Sequence, residues 1–509
     1  MKTKRIISFL LVLAMCLGLF AACSDTPGQN GPTPDRVGEG WEGVNFGGQE
    51  VGLCISTNKY DECNFPAADI YTKGPDKAGS NEVAKEVLSR NKQAQETLGI
   101  TIKYTTRDLG YNKILEDIQS IVMTSSKNSP DIYNNDIYGL ARAMCNGYLW
   151  SVSNPGDDVK NYFDFEADGW YTEYIKGCTF NPDKLYIFAG DYFIDMIRMA
   201  WVVLVNNDIF VNNLGKMPKW CTSMQTFYDY IEDGLWDLDI IADIAGRVHV
   251  DSGVIGTTEV NDQLVGLVIN SVTSWITSAA SGVTVFYQDE NRQPQMMQTI
   301  DEYQRIANKY CDMKERIGVY ETVTNDLGMS NSVLAGTAAF LNGNVLFSYS
   351  RLGEMESEAL RNFADAKGLV PIPKWEDNEQ DDYNTPVHDQ AELGCILNTA
   401  KAFSAASALM QYLNEESEQV VYTYYEKGLK YKYNDDKNSR NMMDIVRNTT
   451  GSPFSWQIGD VCLTLYTGEP ALSKMYIHKK DTVASTFASE KDVYAECLRQ
   501  MIAIFERLE

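Results

Sequence analysis

The sequence predicts an α/β protein with two lobes. Short apolar strand-like runs alternate with amphipathic helical stretches early in the chain, an order typical of βαβ units and of a parallel sheet covered on both faces. At 509 residues, the chain is also too long for one hydrophobic core, which indicates two lobes or domains. With 44% hydrophobic and 22% charged residues, the composition is that of an ordinary globular protein.

The first predicted elements follow one another regularly. They are strand 50–55, helix 81–98, strand 100–104, helix 111–123 and strand 130–133. The helix at 81–98 is expected to stop at Gly99. The residues after the third strand, Asn134, Asn135 and Asp136, are predicted as a polar turn. Because ligands of such sheets bind beyond the carboxyl ends of the strands, the segments that follow these strands are candidate binding segments.

The later part of the chain is predicted to contain further strands and then mostly helices. These elements are strand-like runs at 185–190 and 201–210, a helix at 227–235, a strand pair or turn at 336–347, a strand at 368–373 and a helix at 402–413. The sequence contains no internal repeat.

The first residues have the pattern of an export signal. The basic segment Met1-Lys-Thr-Lys-Arg5 precedes an apolar run over residues 6–20. This run is too short for a membrane-spanning helix, so we predict a secretory signal that is removed. Its end, Leu19-Phe20-Ala21-Ala22-Cys23, resembles a bacterial lipobox, which implies a signal peptide at 1–22 and a lipid on Cys23. A plain signal peptide with an incidental Cys is the alternative.

A polar spacer follows the predicted lipid anchor. Residues 24–40 are rich in Gly, Pro, Ser, Asp and Asn and contain almost no apolar side chain. Such a segment cannot bury enough surface to fold, so residues 23–40 are predicted to be a flexible tether. The folded part is expected to begin at Trp41.

Charge and cysteine content exclude several classes of protein. The formal net charge of −26 makes nucleic acid a poor partner, because both carry negative charge. The charge favours neutral or cationic ligands. A solvated acidic surface is the alternative explanation. The 11 Cys residues are scattered singly, and the three His residues lie far apart, so we expect no metal and no cofactor. Cys54 and Cys395 lie in apolar runs and are predicted to be buried, although a Cys54–Cys63 bridge stays open.

Several motifs resemble the extracellular solute-binding proteins of bacterial ABC importers, the group that contains maltose-binding protein. Leu185-Tyr-Ile-Phe188 is followed by Val205-Asn-Asn-Asp-Ile-Phe210 and then by a Gly, a Pro and a helical segment. Gly336-Thr-Ala-Ala-Phe340 resembles the Gly-Xaa-Ala-Ala-Met element of the group, and Gly368-Leu-Val-Pro-Ile-Pro373 resembles its Gly-Val-Xaa-Pro-Xaa-Pro strand. The motifs keep the family's order over most of residues 46–430.

The resemblance implies a two-lobed, periplasmic-binding-protein-like type II fold with a hinged interlobe cleft. The implied lobes are lobe 1, residues 41–190 with 394–450 returning to it, and lobe 2, residues 194–389 with 454–509 returning to it. The implied crossings between the lobes lie near residues 190–196, 389–394 and 448–454.

The same resemblance implies a function. The protein is expected to be the lipid-anchored, extracytoplasmic solute-binding component of an ABC importer. It is expected to capture a carbohydrate, in particular an oligosaccharide, and to deliver it to the permease. Its expected partners are the sugar, the permease subunits and, through the lipid, the membrane, and we expect a monomer. A secreted glycan-active hydrolase and a surface lipoprotein without a transport role are the alternatives. Because the sequence has no nucleophile elbow, Walker loop, HExxH helix or dinucleotide fingerprint, we expect no enzyme.

A sugar site needs flat aromatic platforms beside hydrogen-bonding side chains. The aromatic candidates, all predicted in loops, are Tyr60, Tyr138, Trp275, Tyr349 and Trp456. The polar candidates are Asn58, Lys59, Glu62, Asn135, Asp136, Asp191 and Arg351. The resembled proteins turn the segments of Trp275 and Trp456 toward the ligand. For each aromatic residue a place in the core is the alternative, and for each polar residue a place on the solvated surface.

Overall fold

The structure is a computed structural model. It describes residues 40–57, 69–74, 81–110, 113–126, 128–252, 263–322, 332–432, 439–454 and 480–508, all within the unit Arg36–Glu509. The predicted signal peptide, Cys23 and nearly all of the tether lie outside the described residues. The same is true of five candidate site residues, namely Asn58, Lys59, Tyr60, Glu62 and Trp456.

Strands and helices alternate along the described residues. The strands are β1 (Gln49–Ser56), β2 (Ile100–Arg107), β3 (Ile132–Asp136), β4 (Ile187–Phe188), β5 (Trp201–Asn206), β6 (Val265–Ile269), β7 (Phe286–Gln288), β8 (Pro294–Met296), β9 (Val319–Glu321), β10 (Val345–Arg351), β11 (Lys367–Pro371) and β12 (Glu392–Ile396). The helices up to β10 are α1 (Asp69–Thr72), α2 (Glu82–Leu98), α3 (Ile114–Thr124), α4 (Ile137–Cys145), α5 (Thr172–Lys176), α6 (Asp195–Arg198), α7 (Asn207–Asn212), α8 (Met224–Glu232), α9 (Leu238–Val248), α10 (Thr273–Ser281), α11 (Asp301–Lys314) and α12 (Ser332–Leu341). The later helices are α13 (Glu358–Arg361), α14 (Phe403–Glu415), α15 (Glu418–Val421), α16 (Ser439–Asn448) and α17 (Lys480–Arg507). Two 3₁₀ helices (Leu214–Lys216 and Leu352–Glu356) and one π-helix (Tyr422–Lys432) complete the set.

Sheet 1 is built largely from the first third of the chain. Its strand order is β2-β1-β3-β12-β4, and β1 pairs in parallel with both β2 and β3. This parallel βαβαβ unit is the one predicted from the sequence. β12 then runs antiparallel to β3 and to β4. We call sheet 1 and the helices packed on it lobe 1; these include α1, α2, α4, α14, α15 and the π-helix.

Sheet 2 is built from the middle of the chain. Its strand order is β11-β5-β10-β6-β9, with β5 antiparallel to β10 and β11, and β6 parallel to β10 and β9. We call sheet 2 and its helices lobe 2; these include α7, α9 and α12. The hairpin of β7 and β8 stands apart from both sheets.

The chain crosses twice between the sheets within the described residues, and the crossing segments bond to each other. It passes from β4 to β5 and returns from β11 to β12. Trp201 N donates to Pro386 O at 3.0 Å, which joins the first crossing to the second. A later segment joins the pair, because Thr385 N donates to Thr449 O at 2.7 Å. The predicted ends of the lobes stay predictions, apart from one correction given below.

The best-predicted helix owes its ends to two polar or flexible residues. Asn81 Oδ1 accepts a hydrogen bond from Ala84 N at 3.2 Å, which caps the start of α2. Gly99 closes the helix in the left-handed conformation, with φ of 59°, and its N–H donates to Gln95 O. The predicted bounds of 81–98 differ from the observed helix by one residue.

Several sequence predictions of local structure are wrong. The strand-like run at 201–210 ends as a strand at Asn206 and continues as α7. Asn134, Asn135 and Asp136 continue β3 rather than form a turn, because β12 supplies their backbone partners; Asp136 lies opposite Glu392. This tertiary pairing overrides the low strand propensity of Asn and Asp. Residues 336–347, predicted as a strand pair or turn, hold the end of α12, a turn at 342–343 and the start of β10. The small apolar residues there suit a buried helix as well as a strand.

A further correction concerns the end of lobe 1. The sequence assigns residues 394–450 to the part of the chain that returns to lobe 1. The structure packs α16 against β11 of sheet 2, and Asn441 Nδ2 of this helix donates to Glu232 Oε1 of α8 at 2.9 Å. The chain therefore enters lobe 2 again before α16.

Two free thiols lie buried in sheet 1. Cys54 on β1 and Cys395 on β12 are fully buried, as predicted. Burial raises the pKa of Cys54 to about 12, so this thiol is protonated and unreactive at neutral pH. Cys63, the partner in the alternative bridge, lies outside the described residues.

The close packing inside sheet 1 can be tested at Gly394 on β12. A Cβ atom there would overlap the Phe188 ring and lie 2.7 Å from Tyr192 Oη. We expect Gly394→Ala to lower the free energy of unfolding by about 1–3 kcal/mol, because neighbouring side chains must shift. Gly215→Ala is the matched control, since no atom lies within 4 Å of its added Cβ. Urea denaturation measures both; equal midpoints would contradict the packing.

Candidate functional site

Four strand ends meet at the second crossing segment. β3 ends at Asp136 opposite Glu392, the first residue of β12, and β10 ends at Arg351 opposite Trp201, the first residue of β5. The imidazole of His388, in the crossing before β12, stacks against the Trp201 indole with 5.5 Å between ring centroids. Sheets 1 and 2 therefore bring charged and aromatic side chains to one place.

On the lobe 1 side, the junction of β3 and α4 fixes two candidate residues. Asp136 Oδ1 accepts from Gly139 N at 2.9 Å and so caps α4, while Asn135 Oδ1 accepts from Asp136 N at 2.9 Å. Burial raises the pKa of Asp136 to about 7, and the nearby Asp389 adds to this rise; the Gly139 N–H and His388 oppose it. Near neutral pH, the Asp136 carboxyl is therefore divided between its protonated and ionised forms.

On the lobe 2 side, Arg351 is held by a carboxylate and an aromatic ring. Its Nη2 donates to Glu354 Oε1 at 3.0 Å, and both side chains are fully buried. The guanidinium also lies 5.5 Å from the centroid of the Trp201 ring, which is a cation–π contact. Such a buried ion pair keeps the Arg351 side chain in one orientation.

Asp389 connects the two sides. Its Oδ1 lies 3.0 Å from His388 Nδ1. Desolvation opposes ionisation of Asp389, but His388 and Arg351 outweigh it and hold its pKa below the usual range. Two of the polar candidates, Asp136 and Arg351, therefore interact with the His388–Asp389 pair, and Asn135 precedes Asp136 on β3.

Some polar atoms near this place are buried without a hydrogen-bond partner among the described residues. They are Asn135 Nδ2, Trp201 Nε1 and Gln390 Oε1. Buried polar groups in native proteins are nearly always paired with protein, water or a ligand. These two donors and one acceptor are therefore suited to a bound polar molecule.

Two aromatic candidates lie on helices, not in loops as predicted. Tyr138 lies in the first turn of α4, with the Arg142 guanidinium 4.7 Å from its ring centroid, and Trp275 lies in the first turn of α10. α4 begins directly after β3, and α10 begins shortly after β6. Asp136 and Asn270 accept hydrogen bonds from N–H groups that follow them at these junctions. Both rings are half-buried at the carboxyl ends of strands, where ligands of α/β proteins bind.

Two other candidates are engaged elsewhere. Tyr349 was predicted in a loop, but it lies inside β10, the central strand of sheet 2, and is fully buried. Asp191 lies after β4, and its Oδ2 accepts from Arg447 Nη2 at 3.0 Å. Burial raises the pKa of Asp191, and Arg447 opposes the rise. This carboxylate already has a strong partner in the protein.

Sequence reasoning missed Trp201, His388, Asp389 and Glu392. Trp201 begins an apolar run and so has the pattern of a core residue. Glu392 offered a usable signal, because a charged residue at the start of a buried strand needs a reason to be there. The His388–Asp389 pair becomes informative only when the crossing places it between two sheets.

Sequence comparison gives no match, whereas structure comparison does. Neither a protein-family model nor a curated protein matches the chain. An extracellular solute-binding protein from Staphylococcus aureus in complex with maltose is 11% identical, over 90% of this chain and 98% of that chain, with a TM-score of 0.53. A cyclo/maltodextrin-binding protein complexed with maltotetraose is 12% identical, over 90% of this chain and 97% of that chain, with a TM-score of 0.50.

The chain has the fold of the extracellular solute-binding proteins. The predicted class, a two-lobed, periplasmic-binding-protein-like α/β fold, is thereby confirmed. In this solute-binding-protein fold, the strand ends described above lie at the junction of the lobes. Within the described residues, no helix is long and apolar enough to cross a membrane, and no cluster of three or more His, Cys, Asp and Glu could hold a metal ion.

The raised pKa of Asp136 has a consequence for stability. The folded carboxyl titrates at about 7, whereas an unfolded Asp titrates at about 3.9. Between these values the folded state binds a proton that the unfolded state has lost, so the free energy of unfolding falls as the pH rises. The amide of Asp136→Asn can still cap α4 but does not titrate. We therefore expect the free energy of unfolding of the parent, minus that of Asp136→Asn, to fall as the pH rises from about 4 to about 7. Urea denaturation at several pH values measures it; a difference independent of pH would show an ordinary pKa.

Proposed function

We propose that the protein is the lipid-anchored, extracytoplasmic solute-binding component of an ABC importer and that it captures an oligosaccharide for the permease. The observation that carries this proposal is the convergence of charged, amide and aromatic side chains from two sheets at the lobe junction. It occurs in a fold whose solved neighbours include a protein in complex with maltose and one complexed with maltotetraose.

The chemistry of the site suits a neutral polyhydroxylated ligand. Sugar hydroxyls both donate and accept hydrogen bonds, and the site offers carboxylates, amides and a guanidinium in fixed positions. Glu354 balances the charge of Arg351, and the raised pKa of Asp136 lowers the negative charge of this carboxyl near neutral pH. The half-buried rings of Tyr138 and Trp275 supply flat apolar surface for the C–H faces of a sugar.

The lobe arrangement suits capture and release. Only a few segments join the two sheets, so small backbone changes in them can move the lobes as rigid bodies. The predicted lipid on Cys23 and the tether at 23–40 would keep the folded part near the membrane, where a permease receives the ligand.

The position of the carboxylates Asp136 and Glu392 favours binding of a glycan over hydrolysis of it. Asp136 and Glu392 are buried neighbours on paired strands, the kind of pair that a hydrolase uses. Asp136 Oδ1, however, caps α4, and its partner Gly139 N holds the side chain in place at 2.9 Å. Oligosaccharides incubated with the protein should therefore be recovered unchanged.

A thermal-shift screen tests the proposed ligand class. We expect maltose, maltotetraose or mannotriose to raise the melting temperature, because a ligand that binds only the folded state stabilises it by about 2.7 kcal/mol at 100 times its Kd. Peptides and charged amino acids serve as the contrasting set. If no glycan shifts the melting temperature while a peptide does, the carbohydrate proposal is wrong.

Trp275 and Trp456 are the ring positions to test with that ligand. We expect Trp275→Ala, Trp456→Ala or both to raise the Kd by an amount that corresponds to about 1–3 kcal/mol, the value of an aromatic contact removed from water. Trp220→Ala is the control, because Trp220 stacks on Tyr230 with 3.8 Å between ring centroids. Titration followed by calorimetry measures each Kd. If both variants bind as tightly as the parent, the site lies elsewhere.

The lipid anchor has a separate test. We expect Cys23→Ala to appear in the culture medium or as the uncleaved precursor, because the lipid can no longer be attached. Cys16→Ala, within the apolar run of the signal, is the control and should stay with the membrane. Immunoblots of the membrane and medium fractions distinguish the two variants. A Cys23→Ala protein that is cleaved and membrane-bound like the parent would refute lipidation at this residue.

A further inference from the structure

A buried carboxylate receives hydrogen bonds from the other lobe. Glu356 ends the 3₁₀ helix that follows β10 of sheet 2. Its Oε2 accepts from Tyr71 Oη at 3.0 Å, and its Oε1 accepts from Tyr424 Oη at 3.2 Å. Tyr71 belongs to α1, which packs against α2 and β1, and Tyr424 belongs to the π-helix, which packs against α2. Both phenols therefore reach from lobe 1 to a carboxylate of lobe 2.

A guanidinium from the first crossing completes the network. Arg198, at the end of α6, donates through Nε to Glu356 Oε1 at 2.8 Å and through Nη1 to Asp195 Oδ1 at 3.0 Å. Its guanidinium carbon also lies 4.7 Å from the centroid of the Tyr71 ring. The second oxygen of Asp195 accepts from Glu392 N, the first backbone N–H of β12, at 2.9 Å. The network thus runs from sheet 2 through the crossing to sheet 1.

The members of the network are well matched in charge and burial. The side chains of Arg198 and Asp195 are fully buried, and that of Glu356 is 7% exposed. A buried charge is costly unless its partners are well placed, so two carboxylates around one guanidinium hold each other in position. Glu356 therefore stays fixed to Arg198 whether or not the phenols are present.

The contacts in this network respond differently to a movement of the lobes. The Arg198–Asp195 pair lies within one short helix and moves as a unit. The phenol–Glu356 contacts join different lobes, so a change in the arrangement of the lobes alters them. Their carboxylate acceptor is charged, and hydrogen bonds to charged groups are stronger than those between neutral groups.

We propose that Tyr71 and Tyr424 form an interlobe latch on Glu356, which holds the lobes in the arrangement seen here and so biases the binding equilibrium of the cleft. The effect on ligand affinity rests on the proposed function, but the latch itself acts without ligand. A two-state equilibrium shifts by the difference in free energy between its states, so removing contacts made in only one arrangement favours the other.

The double variant Tyr71→Phe/Tyr424→Phe tests the latch, since it removes two hydroxyls and keeps both rings. Spin labels can be placed at Met123 on α3 and at Ile317 before β9, whose side chains are 72% and 73% exposed, with the other accessible thiols replaced by Ser. We expect the double variant without ligand to show a broader distance distribution whose mean differs from that of the parent. The matched control is Tyr133→Phe, because Tyr133 Oη donates to Asp117 Oδ2 at 2.8 Å within lobe 1.

The outcomes separate the latch from general loosening and from the proposed function. A double variant with the parent's distance distribution would overturn the latch, as would an equal change in Tyr133→Phe. The distances are measured without ligand, so they keep their meaning even if no oligosaccharide binds. If a glycan does bind, we expect its Kd to change several-fold in the double variant and to stay constant in Tyr133→Phe.

Discussion

The structure depends on the hydrogen bonds that tie the crossing segments to one another. Two sheets with separate cores need a defined relation, and here backbone pairs such as Trp201 N with Pro386 O and Thr385 N with Thr449 O supply it. Without these bonds, the ends of β3, β5, β10 and β12 would have no reason to meet. The position of the candidate site follows from this backbone arrangement, and its side chains follow from the strand registers.

Burial of charge next to the crossings imposes a second constraint. Arg351 and Arg198 are both fully buried, and each has a carboxylate partner three residues away in sequence, Glu354 and Asp195 respectively. A short separation keeps each pair together whatever the lobes do, which limits the cost of a buried charge. Arg198 has a second partner in Glu356, and through it the phenols of the other lobe respond to lobe position. The ion pairs of Arg198 with Asp195 and of Arg351 with Glu354 therefore maintain the fold. The hydrogen bonds of Tyr71 and Tyr424 to Glu356 depend instead on the arrangement of the lobes.

The sequence was informative wherever local chemistry decides the structure. Asn81 and Gly99 mark the ends of α2, and the apolar run of β1 correctly placed Cys54 in the core. Prediction failed where distant partners decide. Asn134 to Asp136 looked like a turn, because nothing nearby in sequence shows that Glu392 would pair with Asp136. Of the candidate site, Asp136 and Arg351 came together, since each ends a strand that reaches the second crossing.

The rest of the site could not be predicted, since its members are informative only in pairs. The His388 ring forms part of the site because the Trp201 ring stacks against it. Trp201 is in that position because it is the first residue of β5, directly after the first crossing. Likewise, Glu356 is one of 70 acidic residues in the sequence, with nothing in its neighbours to distinguish it. What distinguishes it is the arrival of Tyr71 from 285 positions earlier and Tyr424 from 68 positions later. In a two-lobed fold, the residues that link binding to movement are contributed by both lobes, so they become visible only when the lobes are seen together.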